Sequence, residues 1–119
     1  MSLTVQTEQR GDAVVVSVAG ELDMATAPQL QDQITDLLDK GRAKLIFDLA
    51  EVSFCDSTGL SVFVRAKNSC DEAGGEVRLA APQRGVLRIL EVSGLVEVLR
   101  TFPTVDEAAT ADATPASSS

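Results

Sequence analysis

Three short strand-like runs alternate with segments of helical periodicity, and this alternation constrains the fold more than any other feature of the sequence. The runs at residues 13–18, 44–49 and 76–80 are rich in the β-branched and apolar residues that strands favour. Between them, apolar residues recur at three- and four-residue intervals, which is typical of amphipathic helices. Strands that alternate with helices predict an α/β sheet with right-handed crossovers.

The remaining segments complete a small mixed sheet. Residues 4–9 alternate weakly and predict an edge strand, which a short turn joins to the second strand as an antiparallel hairpin. A last short strand is predicted at residues 96–99. Helical segments are expected at residues 26–40, 60–73, 86–94 and 105–109. We therefore expect four to five strands, the first antiparallel to the rest, packed with about four helices.

Composition and charge narrow the classes of protein to which the chain can belong. Its 119 residues suit one domain, placed at residues 1–110, and the Ala, Thr, Pro and Ser content of residues 111–119 predicts a disordered tail. The formal net charge of −8 argues against nucleic acids and membranes as partners, because both attract basic surfaces. With no apolar run long enough for a membrane span and no signal peptide, we expect a cytoplasmic protein, a monomer or a weak dimer.

The side chains that commonly bind metals are scarce. The chain has no histidine, and its two cysteines, Cys55 and Cys70, form no CxxC pattern. No metal site or cofactor is therefore predicted. Both cysteines are interpreted as small buried hydrophobic residues, and a redox role for Cys55 is left open because it adjoins a polar turn.

Enzymatic activity is not expected either. Ser57 follows a strand as the nucleophile of a hydrolase does, but the chain has no histidine to act as its base. The phosphate-binding pattern GxxxxGK[ST] is absent. A receiver domain with Asp48 as phosphate acceptor is a poor match, because no lysine follows the fourth strand.

A polar turn, Asp56-Ser57-Thr58-Gly59, separates the second apolar run from the next helix. Asp, Ser and Thr cap helices through their side-chain oxygens, so Ser57 is expected at a helix N-terminus or one residue before it. That end of a helix tolerates a phosphate, because it carries a partial positive charge and free N–H groups. From the turn alone, a simple cap and a phosphorylation site are both open.

A second turn is expected beside the first. Residues 20–23 and 56–60 each follow a strand in the same sense, and such turns meet at one edge of a parallel sheet. Gly59 either allows a partner's backbone to approach closely or relieves crowding over the sheet.

The segment at residues 54–62 resembles the signature of the STAS family, and in particular that of bacterial anti-sigma factor antagonists. The sequences GELD at residues 20–23 and VSGL at residues 92–95 resemble two further motifs of that family, in the same order. The resemblance covers about residues 3–105 and implies the family fold, a small mixed sheet packed with helices.

The resemblance implies a partner-switching role. In the family the serine at the position of Ser57 is phosphorylated by an anti-sigma factor that is also a serine kinase, and a serine phosphatase reverses the modification. The unphosphorylated protein binds that anti-sigma factor and releases its sigma factor. Partner-binding residues are then expected at Asp23, Asp56, Ser57, Thr58 and Gly59. Thr58 is the rival acceptor, and an ordinary loop carboxylate is the alternative for Asp23.

Other roles within the family stay open. The domain is alternatively a scaffold of a signalling assembly or a receptor for a small ligand such as a nucleotide or lipid. A large apolar cavity or a stable oligomer would favour those roles.

Overall fold

The apolar runs form a five-stranded mixed sheet in a computed structural model that describes residues 3–111. The strands are β1 (Leu3–Arg10), β2 (Ala13–Leu22), β3 (Lys44–Cys55), β4 (Glu76–Ala80) and β5 (Arg100–Phe102). The helices are α1 (Ala27–Asp39), α2 (Ser57–Glu72), α3 (Arg84–Val92) and α4 (Val105–Thr110), with a 3-10 helix at Leu95–Glu97. This architecture confirms the predicted fold class.

The strands lie side by side in chain order, from β1 to β5. Strand β1 pairs with β2 as an antiparallel hairpin, and all later neighbours are parallel. Between the parallel strands the chain crosses back through the helices, because a parallel neighbour cannot be reached by a tight turn.

Alternate residues of the central strands enter two apolar layers. Val16 and Phe47 belong to the larger layer, which the helices α1, α2 and α3 cover. Val15 and Ile46 belong to the smaller layer on the other face, where α4 contributes Ala108. The Phe47 ring packs edge to face on Phe63 of α2, with ring centroids 5.2 Å apart, and this contact helps to hold α2 over β3.

Two strands are longer than the sequence predicted. Residues 20–23 were expected to leave the sheet, whereas β2 continues to Leu22, and β3 continues beyond residue 49 to Cys55. The two extensions pair with each other through register shifts. In the extension of β3 only Val52 and Cys55 are buried, a spacing of three residues that departs from the strict alternation by which a strand is recognised.

The strand predicted at residues 96–99 is wrong. The segment begins after Gly94, whose φ of 79° turns the chain, and continues as the 3-10 helix Leu95–Glu97, so that the last strand begins only at Arg100. Leu99 is fully buried and its N–H donates to the carbonyl of Leu95. The apolar residues therefore pack on the core as a turn.

The C-terminal turn of helix predicted at residues 105–109 is present as α4. The tail predicted at residues 111–119 lies outside the described residues except for Ala111. Within residues 3–111, no helix combines the length and the apolar character that crossing a membrane requires.

Candidate functional site

Ser57 is the first residue of α2, where the sequence placed it. Asp56 is the N-cap, and its Oδ1 accepts a hydrogen bond from the N–H of Gly59 at 3.0 Å. The backbone carbonyl of Asp56 accepts the first helical bond, from the N–H of Leu60. The side chain that caps the helix therefore precedes Ser57, and the hydroxyl of Ser57 is not used for capping.

Ser57 and Thr58 are both exposed at this helix terminus. Among the described residues, the hydroxyl of Ser57 has no hydrogen-bond partner, and its carbonyl accepts a bond from the hydroxyl of Ser61 at 2.9 Å. An exposed hydroxyl at the positive end of a helix dipole is well placed to carry an anionic group.

The two polar turns lie side by side, as expected. The N–H of Asp56 donates to the carbonyl of Leu22 at 3.2 Å, and Leu22 pairs with Cys55 in the sheet. Asp23 follows Leu22, so the structure places Asp23 at the same edge of the sheet as Ser57.

The carboxylate of Asp23 closes the turn before α1. Its Oδ1 accepts hydrogen bonds from the N–H groups of Ala25 at 2.9 Å and Thr26 at 3.1 Å. Thr26 is the N-cap residue of α1, but its side chain makes no capping bond to the helix, and its hydroxyl donates to the carbonyl of Glu21 at 2.7 Å. Asp23 thus has a structural role in the turn, in addition to its position near Ser57.

Gly59 is buried where α2 passes over the end of β2. A Cβ atom at this position would lie 2.8 Å from Cys55 Sγ, 2.8 Å from Leu22 Cγ and 2.9 Å from the carbonyl oxygen of Leu22. These distances favour the explanation that glycine relieves crowding over the sheet. An effect of Gly59 on a partner would be indirect, through the position of the turn.

Replacing Asp56 with alanine is expected to lower the free energy of unfolding by about 1 kcal/mol, because the N–H of Gly59 loses its acceptor. Asp56→Asn should cost less, since the asparagine side chain also caps well. Urea denaturation followed by circular dichroism measures both. Equal losses for the two variants would mean that the charge of Asp56, and not its capping bond, stabilises the domain.

Cys55 lies directly beneath the turn and is only 1% exposed. Burial, with a smaller contribution from the adjacent Asp56 carboxylate, raises the pKa of its thiol to about 12. Burial likewise raises the pKa of Cys70 to about 11, with a smaller contribution from Asp71. Because the thiolate is the reactive form, both side chains behave as the buried hydrophobic residues that the sequence predicted.

Ser57 lies where two open grooves meet. The first, here called the α1–α2 groove, has a volume of about 490 Å³. Besides Ser57 it is lined by Met24, Pro28, Gln31, Asp32, Val62 and Arg65. The second, here called the α2–3-10 groove, has a volume of about 450 Å³ and is lined by Leu60, Val64, Arg65, Ser93 and Leu95.

These grooves contain residues that the sequence analysis did not assign to the site. Met24 lies between the turn predicted at residues 20–23 and the helix predicted from residue 26, and the packing of α1 against α2 brings it to Ser57. Arg65 lies about two helical turns from Ser57 on α2 itself. Ser93 and Leu95 belong to the third family motif, which now lies next to Ser57. That motif was the one available sequence signal for the second groove.

The family model of the STAS domain matches residues 4–108. The chain belongs to the STAS domain family. Within residues 3–111 of this STAS domain, no group of three or more Cys, Asp or Glu side chains is arranged to hold a metal ion.

Related STAS proteins resemble the chain over most of its length. The anti-sigma-B factor antagonist of Bacillus subtilis (strain 168) is 32% identical over 99 residues, which are 83% of this chain and 90% of that protein. An anti-sigma factor antagonist from Mycobacterium paratuberculosis has a crystal structure with a TM-score of 0.84 at 31% identity, covering 92% of each chain. The Bacillus cell fate determinant SpoIIAA in its phosphorylated form has the same fold, with a TM-score of 0.70 at 24% identity over 88% of this chain and 96% of that one.

Proposed function

We propose that this STAS domain is an anti-sigma factor antagonist that Ser57 phosphorylation switches off. The observation that carries the proposal is the hydroxyl of Ser57, which is exposed at the first position of α2 where two grooves meet. This hydroxyl is not used to cap the helix. The names of the Bacillus subtilis and Mycobacterium paratuberculosis relatives support the class of partner, an anti-sigma factor.

In its unphosphorylated form the domain binds an anti-sigma factor that is also an ATP-dependent serine kinase, and the sigma factor is released. The kinase then transfers the γ-phosphoryl group of its ATP to Ser57. A bond forms between Ser57 Oγ and phosphorus, the bond to the β-phosphate oxygen breaks, and a base of the kinase accepts the hydroxyl proton. A serine phosphatase reverses the modification. The domain is a substrate in this cycle, which we place in the cytoplasm.

Phosphorylation should leave the fold intact. It adds a charge of about −1.5 to −2 at Ser57, which the N-terminus of α2 partly offsets. The existence of the SpoIIAA fold in a phosphorylated form supports this step.

Phosphorylation should nevertheless abolish binding. The carboxylates of Asp56 and Asp23 are held by hydrogen bonds to backbone N–H groups, so neither can turn away freely from a new phosphate. This repulsion is also present in the free domain, so it weakens binding only by the amount that it grows when an interface closes over the phosphate and removes its water. Two like charges about 4 Å apart repel by about 1 kcal/mol in water and by about 4 kcal/mol at an effective dielectric constant of about 20. A difference of about 3 kcal/mol weakens affinity about a hundredfold.

Thr58 is exposed beside Ser57, so the choice of acceptor needs its own test. We assign the phosphate to Ser57 because it occupies the serine position of the family motif, and Thr58 then shapes the turn.

The test compares Ser57→Ala and Ser57→Asp as baits for proteins of the host's lysate, with Thr58→Ala and Thr58→Asp as matched controls. Ser57→Ala should retain an ATP-binding anti-sigma factor that Ser57→Asp loses, identified by mass spectrometry and then used in a phosphorylation assay. If both Ser57 baits retain the same proteins, or neither retains a kinase, the proposal that Ser57 phosphorylation controls binding is wrong. Ser57 is then only a structural residue at the start of the helix. Loss of the partner with Thr58→Asp alone would move the acceptor to Thr58.

The scaffold and small-ligand roles gain no specific support from the site. Both grooves at Ser57 are open to solvent between packed helices, which suits the surface of a protein partner better than an enclosed small molecule.

A further inference from the structure

We infer that the anti-sigma factor binds in the α1–α2 groove through a segment that presents an apolar side chain and a carboxylate, and that Met24 and Arg65 select it. This inference rests on the proposed function. It concerns the part of the domain surface that determines which anti-sigma factor the domain binds. Three groups in this groove have binding capacity that the described residues do not use.

Arg65 is the first of these groups. It is exposed on α2, and it forms no ion pair or side-chain hydrogen bond with a described residue, although the chain has 18 acidic residues and only 10 basic ones. Asp32 lines the same groove from α1 and is not paired with it. Helical side chains lean toward the helix N-terminus, which for Arg65 is the direction of Ser57. A guanidinium so placed suits a bidentate bond to a carboxylate.

Gln31 is the second group. Its Oε1 is buried in the part of the chain that the structure describes and accepts no hydrogen bond there, while its Nε2 donates to the hydroxyl of Thr35 at 3.4 Å. Buried polar atoms without a partner are unfavourable and rare. Gln31 lines the groove wall, so a turn of its side-chain amide toward the groove would let Oε1 accept a hydrogen bond from an N–H or O–H group of an occupant.

Met24 is the third group. It is 75% exposed at the mouth of the groove, above apolar atoms of Ala27 and Val62, which are themselves buried. Methionine is flexible and polarizable, and it adapts to the shape of an apolar partner. Covering Met24 would remove a large exposed apolar side chain from water.

The α2–3-10 groove lacks this combination. Its polar residue Ser93 already donates a hydrogen bond to the carbonyl of Leu90 at 3.1 Å, and Leu60 is buried in the core. Arg65 lies on the rim that both grooves share. The groups without partners therefore concentrate on the side of α1.

The positive charge of Arg65 limits where an acidic group of the occupant can bind. With a net charge of −8, the domain as a whole repels an acidic partner, so a carboxylate is favoured only at a local cation such as Arg65. A contact of this kind contributes more to the choice of partner and to its orientation than to affinity in general. The occupant is accordingly a segment of the anti-sigma factor with an apolar residue next to Asp or Glu.

The experiment measures the affinity of the unphosphorylated domain for the anti-sigma factor captured with Ser57→Ala, by isothermal titration calorimetry. The groove variants are Arg65→Glu and Met24→Ala. The matched controls are Arg88→Glu, an exposed arginine of α3 with no ion pair to a described residue, and Val98→Ala, an apolar residue 49% exposed outside both groove linings. Circular dichroism should show all four folded, since each side chain is exposed.

Each groove variant should weaken binding about tenfold or more, as central interface residues do. Arg65→Lys should recover part of the loss, and the controls should stay within about twofold of the unmodified domain. The inference is overturned if Arg65→Glu binds as the unmodified domain does, or if Arg88→Glu and Val98→Ala weaken binding as much as the groove variants. If the unmodified domain itself binds no anti-sigma factor, the proposed function fails, a result distinct from a normal complex that ignores the groove.

Discussion

Replacing Arg78 with alanine should lower the free energy of unfolding by about 3–5 kcal/mol, the usual cost of breaking a buried ion pair from one side. Arg78 is a charged residue on β4 that is only 7% exposed. Its loss would leave the Glu76 carboxylate with Arg100 at 3.8 Å as the nearest described ion-pair partner.

The contacts of Arg78 explain the size of this effect. Its Nε and Nη2 donate to the two carboxylate oxygens of Glu76, at 3.0 and 3.1 Å. Its Nη1 donates to the backbone carbonyls of Ala108 and Ala111 at the end of α4. The guanidinium also lies over the ring of Phe102, 5.8 Å from its centroid. One side chain therefore joins β4, β5 and α4.

Chemical denaturation of Arg78→Ala and of Arg88→Ala tests this prediction. Arg88 is exposed on α3 without an ion pair to a described residue, so its removal should change the free energy of unfolding by less than about 0.5 kcal/mol. Hydrogen exchange should also become faster at the amides of α4. Equal stability of the two variants would show that Arg78 does not hold α4 in place.

Replacing Gly59 with valine should lower the free energy of unfolding by about 3 kcal/mol, the upper end of the cost of overpacking. Even the Cβ atom would lie within 3.0 Å of three atoms of Leu22 and Cys55, one of them a backbone oxygen. Leu22 and Cys55 are almost fully buried and cannot move aside without disturbing the core.

Gly59→Ala should cost less than valine, because the better helix propensity of alanine returns up to about 1 kcal/mol. Gly85 in α3 is the matched control, since a Cβ atom there would meet nothing within 4 Å. Gly85→Ala should be neutral or slightly stabilising. Denaturation curves for Gly59→Val, Gly59→Ala and Gly85→Ala measure these differences.

The Gly59 variants that remain folded should also bind the anti-sigma factor more weakly, because the displaced helix carries Ser57 with it. A Gly59→Val protein as stable as the unmodified domain would show that α2 can shift without cost. Unchanged binding by a destabilised but folded variant would separate the packing role of Gly59 from the partner surface.

Several parts of this site could be predicted from the sequence because they depend on neighbours along the chain. The start of a helix at Ser57 follows from local hydrogen bonding at the Asp56 cap. The juxtaposition of the two turns follows from the parallel direction of β2 and β3. The strand predicted at residues 96–99 failed because its apolar residues pack through a turn, which periodicity alone does not distinguish.

The fold class, the order of most elements and the position of Ser57 could be predicted from the sequence, since periodicity and capping act over a few residues. Which polar groups are buried and which apolar groups stay exposed depends instead on contacts between elements far apart in the chain. Arg78 is buried where it donates a hydrogen bond to a backbone carbonyl of α4. Position 59 requires glycine because a Cβ atom there would lie too close to Leu22. The grooves at Ser57 exist because α2 packs between α1 and the 3-10 helix, and those contacts join residues far apart in the chain.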